Sequence, residues 1–350
     1  MNIPVLSSRQ RTREAWTQER LTFERSVALG FALESSTAST YDSHLNSYLN
    51  FCRLHDRPVD PTPDTLSFFV VWLSHHIEPR SVDSYLSGIV SKLETYYPHA
   101  RINRCSQLVA CTLKGCKRKL SQPVTRKLPL SRDDIQRVLC TTTLNDTYNS
   151  NLFAAMLATG FETLQRLGEL TWPDDKRLQS YRHVPMRHTL QMTANSASYL
   201  LPHQKNASLA TGNLVVLRSL GSLGTDPLQV LHTYIASRDA HFPLRPELWL
   251  TQEGLIPTRR WFMRRLCVFF PNTSISGHSL RAGGATALAA WGVAPDLIQA
   301  AGRWSSDEFN KCSVLHGGSC SFLFICLGPY ILGLSDVSFI SLVLGQDLLI

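Results

Sequence analysis

The spacing of apolar residues predicts a series of helices over the first third of the chain. One helix is predicted at 13–34, and the next follows Thr40, with tyrosine, leucine and cysteine side chains at helical spacing. Thr62 is placed to cap a helix that has Pro63 in its first turn. The stretch 66–76 is apolar nearly all round, which predicts a central buried helix.

A further helix is predicted from Ser81, and a basic run from Arg104 to Lys119 predicts the last helix of this region. Residues 122–130 contain two prolines and two basic residues, which is typical of a short extended connector between domains. We therefore predict an N-terminal helical arm at 1–34, a helical domain at 35–121 and a linker at 122–130.

The region after the linker has a mixed pattern. Ser131 and Asp134 predict a capped helix start. Two more helical stretches precede three short β-prone runs at 188–193, 199–201 and 214–217, which are typical of a small antiparallel sheet. Helices return from Asp226 onward. The predicted fold class is mainly α, with a small antiparallel β-sheet in a second domain at 131–312.

Charge points to an anionic partner. The 350 residues include 35 Lys and Arg against 27 Asp and Glu, a net charge of +8. Such an excess favours an anionic partner such as nucleic acid. The N-terminus has no apolar core after its charges, so no signal peptide is expected. We expect a nuclear location in a eukaryote, and otherwise a cytoplasmic one.

The cysteines and the last residues carry separate expectations. The nine cysteines lack zinc-site spacing, so no metal or cofactor is predicted, and reduced buried thiols in a reducing compartment are expected.

Residues 313–350 contain no Lys or Arg and have no periodicity, which predicts an aberrant apolar tail. A transmembrane span is disfavoured there because Gly328, Pro329 and Asp336 interrupt the segment and no basic flank precedes it.

Four places combine charge with the start or end of an element. They are Arg166 with Glu169 one turn later, Lys205 between two β runs, His278 with Arg281 at a helix start, and Gly302 with Trp304 at a helix end. Each alone is better explained as a solvated or structural group. The order in which all four occur along the chain is a far more specific signal than any one of them.

This order, R…K…H-x-x-R…G-x-W, resembles the active-site series of the tyrosine recombinases, the phage-integrase family. Four segments of the chain are similar to integrase-like proteins of fungal genomes and mobile elements: TGFETLQRLGELTWPD, LPHQK, GHSLRAGGAT and GRWSSD. The resemblance covers roughly 40–311. It implies a SAM-like core-binding domain at 35–121, a catalytic domain at 131–312, double-stranded DNA as the partner, and assembly as a homo-tetramer on that DNA.

The resemblance also implies roles for the residues. Arg166 and Arg281 would bind the two non-bridging phosphate oxygens, which suits planar, permanently charged guanidinium groups. Lys205 would be the general acid, and His278 would assist proton transfer from the nucleophile. Trp304, after Gly302, would contact the phosphate or the nucleophile's helix, and Glu169 would orient its surroundings. The DNA backbone would be followed by basic residues of the linker and the last helix of the first domain: Arg126, Lys127, Lys117, Arg118 and Lys119.

The nucleophile breaks the pattern. The family's tyrosine, which forms a 3′-phosphotyrosine link to DNA, is expected where this chain has Cys312, and the next tyrosine is Tyr330. A cysteine sulfur lies several ångströms closer to the backbone than a phenol oxygen, so it would not reach the same phosphorus. We therefore predict a recombinase with impaired catalysis. The alternatives are a catalytically dead relic that only binds DNA, and a helical or membrane-tethered scaffold.

Overall fold

The computed structural model describes residues 14–30, 32–123, 127–145, 147–202, 213–220, 224–271 and 275–304. Arg126, Lys205, Cys312 and the predicted tail at 313–350 lie outside the described residues. The chain divides into two compact units, Met1–Val124 and Thr125–Ile350. The domain limits predicted from the sequence stay predictions.

The described part of the first unit is helical. Its elements are α1 (Gln18–Gly30), α2 (Ser35–Leu54), α3 (Pro63–Ser74), α4 (Pro79–Leu93), α5 (Ala100–Arg104) and α6 (Gln107–Leu120). The predicted start of α2 after Thr40 is too late, because the polar residues that open this helix carry no apolar pattern. The predicted basic helix is also divided, since α5 ends at Arg104 and Ser106 caps α6.

Helix α3 confirms one prediction and corrects another. Thr62 accepts a hydrogen bond from the Thr65 N–H at 3.2 Å, and Pro63 is the first helical residue, as predicted. The helix is not buried all round, however. Leu66 and Phe69 are fully buried, whereas Phe68 and Val71 on the opposite side are exposed. The prediction failed because a uniformly apolar helix gives no indication of which side its neighbours cover.

The second unit contains the mixed pattern. Its elements are α7 (Arg132–Asn145), α8 (Tyr148–Glu162), α9 (Leu167–Leu170), β1 (Gln191–Met192), β2 (Ser196–Leu201), β3 (Asn213–Arg218), α10 (Pro227–His241), α11 (Arg259–Phe269), α12 (Gly277–Ala290) and α13 (Pro295–Gly302). The Ser131 hydroxyl and N–H both donate to Asp134, which confirms the predicted capped start of α7.

Helix α8 forms the centre of the second unit. Its residues from Asn151 to Phe161 are all buried, and α7, α10 and α12 pack around it. A helix surrounded in this way has no need of a polar face, which explains its almost continuous apolar and small-residue sequence. The loops at the C-terminal end of α8 are therefore fixed to a rigid core.

The sheet has the order β1-β2-β3, with both pairs antiparallel and Tyr199 opposite Val215. Alternate residues of β2 face the core, where Ala197, Tyr199 and Leu201 are buried. The predicted β run at 188–193 is mostly wrong, because Arg187–Thr189 forms a 3-10 turn and only two residues pair.

The cysteine prediction is correct only in part. The six cysteines in the described residues form no disulfide with one another, and Cys52 is buried as expected. Four are exposed, contrary to the expectation: Cys105, Cys111, Cys140 and Cys267. Each of these four lies on an outward-facing turn or helix position.

Candidate phosphate-binding site

Arg166 and Glu169 lie at the start of α9. Glu169 accepts from the Arg166 Nη1 at 3.0 Å and from the Arg166 backbone N–H at 3.1 Å. One carboxylate therefore satisfies a helix N-terminal donor and fixes the arginine side chain. The Arg166 side chain remains 34% exposed, while that of Glu169 is 10% exposed. Of these two residues, Arg166 is the one that an external anion can contact.

The loop before Arg166 has a constrained backbone. Leu164 is fully buried and has a φ of 53°, in the left-handed region that non-glycine residues rarely adopt. This conformation turns its carbonyl toward Arg281, whose Nη1 donates to it at 3.1 Å. The adjacent Gln165 donates to the Tyr199 hydroxyl on β2 at 2.5 Å. The loop is thus held by both α12 and the sheet, and burial raises the pKa of Tyr199, which keeps this hydroxyl neutral.

Arg281 joins this loop to the end of α13. Its guanidinium donates to the Leu164 and Gly302 carbonyls, and the ring of Trp304 lies over it at 4.1 Å. Arg281 is 2% exposed. In the described conformation Arg281 connects the Leu164 loop to the end of α13, and its burial leaves almost no surface for an external anion.

His278 lies one helical turn before Arg281, at the N-terminus of α12. Ser276 caps this helix, since its hydroxyl accepts from the His278 N–H at 3.2 Å and its N–H donates to the Ser279 hydroxyl. His278 is exposed, on the same helix as the buried Arg281. The two side chains, three residues apart at the start of α12, therefore differ in accessibility: His278 is exposed and Arg281 is buried.

Two glycines allow α12 to approach its neighbours closely. A Cβ on Gly283 would lie 2.1 Å from the Leu130 carbonyl oxygen, and one on Gly284 would lie 2.2 Å from that of Phe161. Both distances are far below any real contact, and both partners are backbone atoms. Gly284 thus allows the helix that carries His278 and Arg281 to pack against the end of α8, and Gly283 allows it to approach the segment before α7.

Arg303 is not among the residues for which the sequence motifs predicted a role in the site. This residue follows α13 with a φ of 55°, and its Nη2 donates to Glu169 at 2.9 Å. Its side chain is 13% exposed. The sequence feature that could have indicated Arg303 is its position inside the G-x-W motif, between Gly302 and Trp304.

Arg259, the first residue of α11, was also missed. A Cβ on Gly277 would lie 2.9 Å from the Arg259 Nη1, so this guanidinium lies beside the N-terminus of α12. Arg259 is exposed, and its side chain forms no hydrogen bond or ion pair within the part of the chain that the structure describes. It adds a further cation near His278.

The remaining predicted DNA-binding residues belong to the linker and to α6. Lys127 is exposed beside the undescribed Arg126. On α6, Arg118 and Lys119 are exposed and Lys117 is half-buried. Lys117 and Arg118 line a groove of about 650 Å³ between α4, α5 and α6, together with Arg104 and Lys114. The first unit thus has a basic groove of its own.

Among the described residues, no group of three or more His, Cys, Asp or Glu side chains is placed to hold a metal ion. In the same residues, every helix is too short or too polar to cross a membrane.

Comparison with known proteins gives similarity at the level of structure. No family model and no curated protein matches the sequence. A lambda integrase dimer bound to a COC′ core site is 12% identical, with a TM-score of 0.53, over 88% of this chain and 99% of that one. The Tn1549 transposon integrase in complex with transposon right-end DNA is 14% identical, with a TM-score of 0.55, over 86% and 95%. A lambda integrase tetramer bound to a Holliday junction is 14% identical, with a TM-score of 0.52, over 87% and 78%. The chain therefore has the tyrosine recombinase fold, which confirms the predicted fold class.

Proposed function

We propose that this chain is a DNA-binding protein of the tyrosine recombinase type, and that its second unit binds a DNA phosphate beside Arg166 and His278. The observation that carries the proposal is the series of contacts that links distant motifs. Glu169 binds Arg166 and Arg303, while Arg281 binds the Leu164 and Gly302 carbonyls. Sequence segments more than a hundred residues apart thereby bring their basic groups to one place.

The chemistry of this cluster suits a phosphodiester. Cleavage without a metal needs fixed cations where negative charge develops, and guanidinium groups supply charge and directed N–H donors together. Arg166 and His278 are accessible, whereas Arg281 supports the site from within. The similar structures hold DNA, as their names state, and we extend that partner to this chain.

Two forms of the function stay open within the proposal. In the first, the protein is an enzyme of the DNA breaking and rejoining type, with Lys205 as general acid, whose catalysis is impaired because Cys312 stands where the tyrosine nucleophile is expected. In the second, it is a relic that binds DNA without cleaving it. Homo-tetramer assembly, a nuclear location and a mobile-element origin belong to the same proposal.

Binding is tested by the salt dependence of affinity for a short mixed-sequence duplex. Phosphate contacts make the logarithm of affinity fall linearly with the logarithm of salt concentration. Arg166→Gln is expected to lower the slope by about one unit. Arg177→Gln is the matched control, because Arg177 is an exposed arginine of the same unit that pairs with Asp175. Salt-independent binding, or equal slopes for both variants, would contradict the proposal.

Cleavage is tested with a nicked suicide duplex, on which a covalent protein–DNA adduct appears in denaturing gels. The unmodified chain is expected to give no adduct. An adduct that is lost on changing Cys312 or Tyr330 would establish an active nucleophile. Partial rescue by Cys312→Tyr favours the impaired enzyme, and no rescue favours the relic.

A further inference from the structure

Glu169 poses an electrostatic difficulty for the proposed site. It is a carboxylate directly beside Arg166, and a carboxylate near a phosphate opposes binding. In a pair with one arginine it would cancel that arginine's charge. An additional cation is needed if Arg166 is to attract an anion.

The structure supplies this cation from a distant segment. Arg303 donates to Glu169 Oε2 at 2.9 Å, while Arg166 Nη1 donates to Oε1 at 3.0 Å. Each carboxylate oxygen thus has its own guanidinium partner. Glu169 and Arg303 have side chains that are only 10% and 13% exposed, so this pair is largely removed from solvent screening.

Arg303 has a backbone conformation that is typical of glycine. Its φ of 55° and ψ of 44° are left-handed, and its N–H donates to the Ala300 carbonyl at 2.9 Å, which ends α13. A glycine would adopt this conformation without strain, whereas arginine has a steric cost there. An arginine at a glycine-type position indicates a role for its side chain.

We propose that Arg303 is a positioning residue that neutralises Glu169, so that the Arg166–Glu169–Arg303 cluster keeps a net charge of about +1 and Arg166 remains able to bind a DNA phosphate. This inference rests on the proposed function. Arg303 itself does not contact DNA. It acts through Glu169, which it holds in the orientation that fixes Arg166.

The inference makes a prediction that a purely structural role does not. Arg303→Gln leaves the cluster neutral, because Glu169 then cancels the charge of Arg166, and Arg166 no longer neutralises a phosphate. Duplex binding is therefore expected to weaken roughly 3- to 10-fold, and the salt slope to fall by about one unit. Glu169→Gln keeps the length of the side chain and one acceptor oxygen for Arg166, and it raises the net charge of the cluster, so it is expected to tighten binding and steepen the slope. The double variant restores the original net charge and is expected to bind like the unmodified chain.

The experiment measures affinity for a short mixed-sequence duplex at several salt concentrations, with circular dichroism to establish folding. Arg303→Lys retains the charge and is expected to keep the original slope. Arg245→Gln is the matched control, since Arg245 pairs with the buried Glu247 elsewhere in the same unit and its loss removes the same charge. This control is expected to leave the slope unchanged.

The outcomes are distinct. If Arg303 only holds α13 against α9, Glu169→Gln will not tighten binding and the double variant will bind no better than Arg303→Gln; either result overturns the inference. If Arg303→Gln fails to fold, Glu169→Gln decides alone, and unchanged or weaker binding overturns the inference. If the unmodified chain shows no salt-sensitive binding, the proposed function fails and the inference with it.

Discussion

Gly284→Ala tests the close packing that positions α12. A Cβ at this position would lie 2.2 Å from the Phe161 carbonyl oxygen and 2.6 Å from a Leu164 methyl group, where ordinary contacts begin at 3.4 Å. The helix must therefore move by about 1 Å from the end of α8. Neither Phe161 nor Leu164 can yield easily, because both are fully buried and Leu164 has a left-handed backbone.

The expected cost follows from this geometry. Overpacking a well-packed core costs about 1–3 kcal/mol, and a backbone partner in the centre of the unit places Gly284→Ala near the upper limit. At roughly 2–4 °C per kcal/mol for a unit of this size, the midpoint of thermal unfolding is expected to fall by about 6–12 °C. Since α12 also carries Arg281, its hydrogen bond to the Leu164 carbonyl is expected to weaken.

The assay is thermal unfolding followed by circular dichroism, with Gly168→Ala as the control. Gly168 lies on α9 of the same unit, and no atom of a neighbouring element lies within 4 Å of the point that its Cβ would occupy. Alanine there is expected to be neutral or to stabilise by up to about 1 kcal/mol. If Gly284→Ala melts within a degree of the unmodified chain while the control behaves as expected, the close approach of α12 and α8 is refuted.

Three further predictions concern stability. Burial lowers the pKa of His44 in the folded state, so the unfolded chain binds a proton at this histidine at a higher pH than the folded chain does. The first unit is therefore expected to lose stability as pH falls below about 6.5. In urea unfolding at several pH values, His44→Phe should flatten this dependence. Burial alone would raise the pKa of Glu247, but hydrogen bonds from Arg245 and Tyr181 lower it overall, so its stabilisation should be present above about pH 4.3 and fade below. The stability difference between Glu247→Gln and the unmodified chain should therefore shrink on acidification, and a constant difference would contradict this assignment. Thr62→Ala removes the cap of α3 and is expected to cost about 1 kcal/mol, whereas Thr62→Ser should be neutral.

The sequence features that predicted the structure most reliably are those that involve only neighbouring residues. The Thr62 cap and the Ser131–Asp134 pair were predictable because each involves residues only three apart. The spacing of His278 and Arg281 likewise follows from one helical turn. A short segment of the chain contains all the residues that determine such a cap or spacing, so the sequence is enough to predict it.

Features that depend on distant partners were not predictable. The role of Arg303 requires contact with Glu169, which is 134 residues away in sequence, and a left-handed backbone. Strand β2 begins three residues earlier than predicted because β3 supplies hydrogen bonds to residues with weak β propensity. The exposure of Phe68 depends on which helices surround α3, and a uniformly apolar sequence does not specify this.

The central claim is that separate basic motifs meet around one DNA phosphate. The most direct measurement is a structure of the full chain bound to a nicked duplex. We predict one backbone phosphate within hydrogen-bond distance of both Arg166 and His278, with Glu169 still bound by Arg166 and Arg303. A duplex that contacts the protein elsewhere, with Arg166 and His278 facing solvent, would contradict the account.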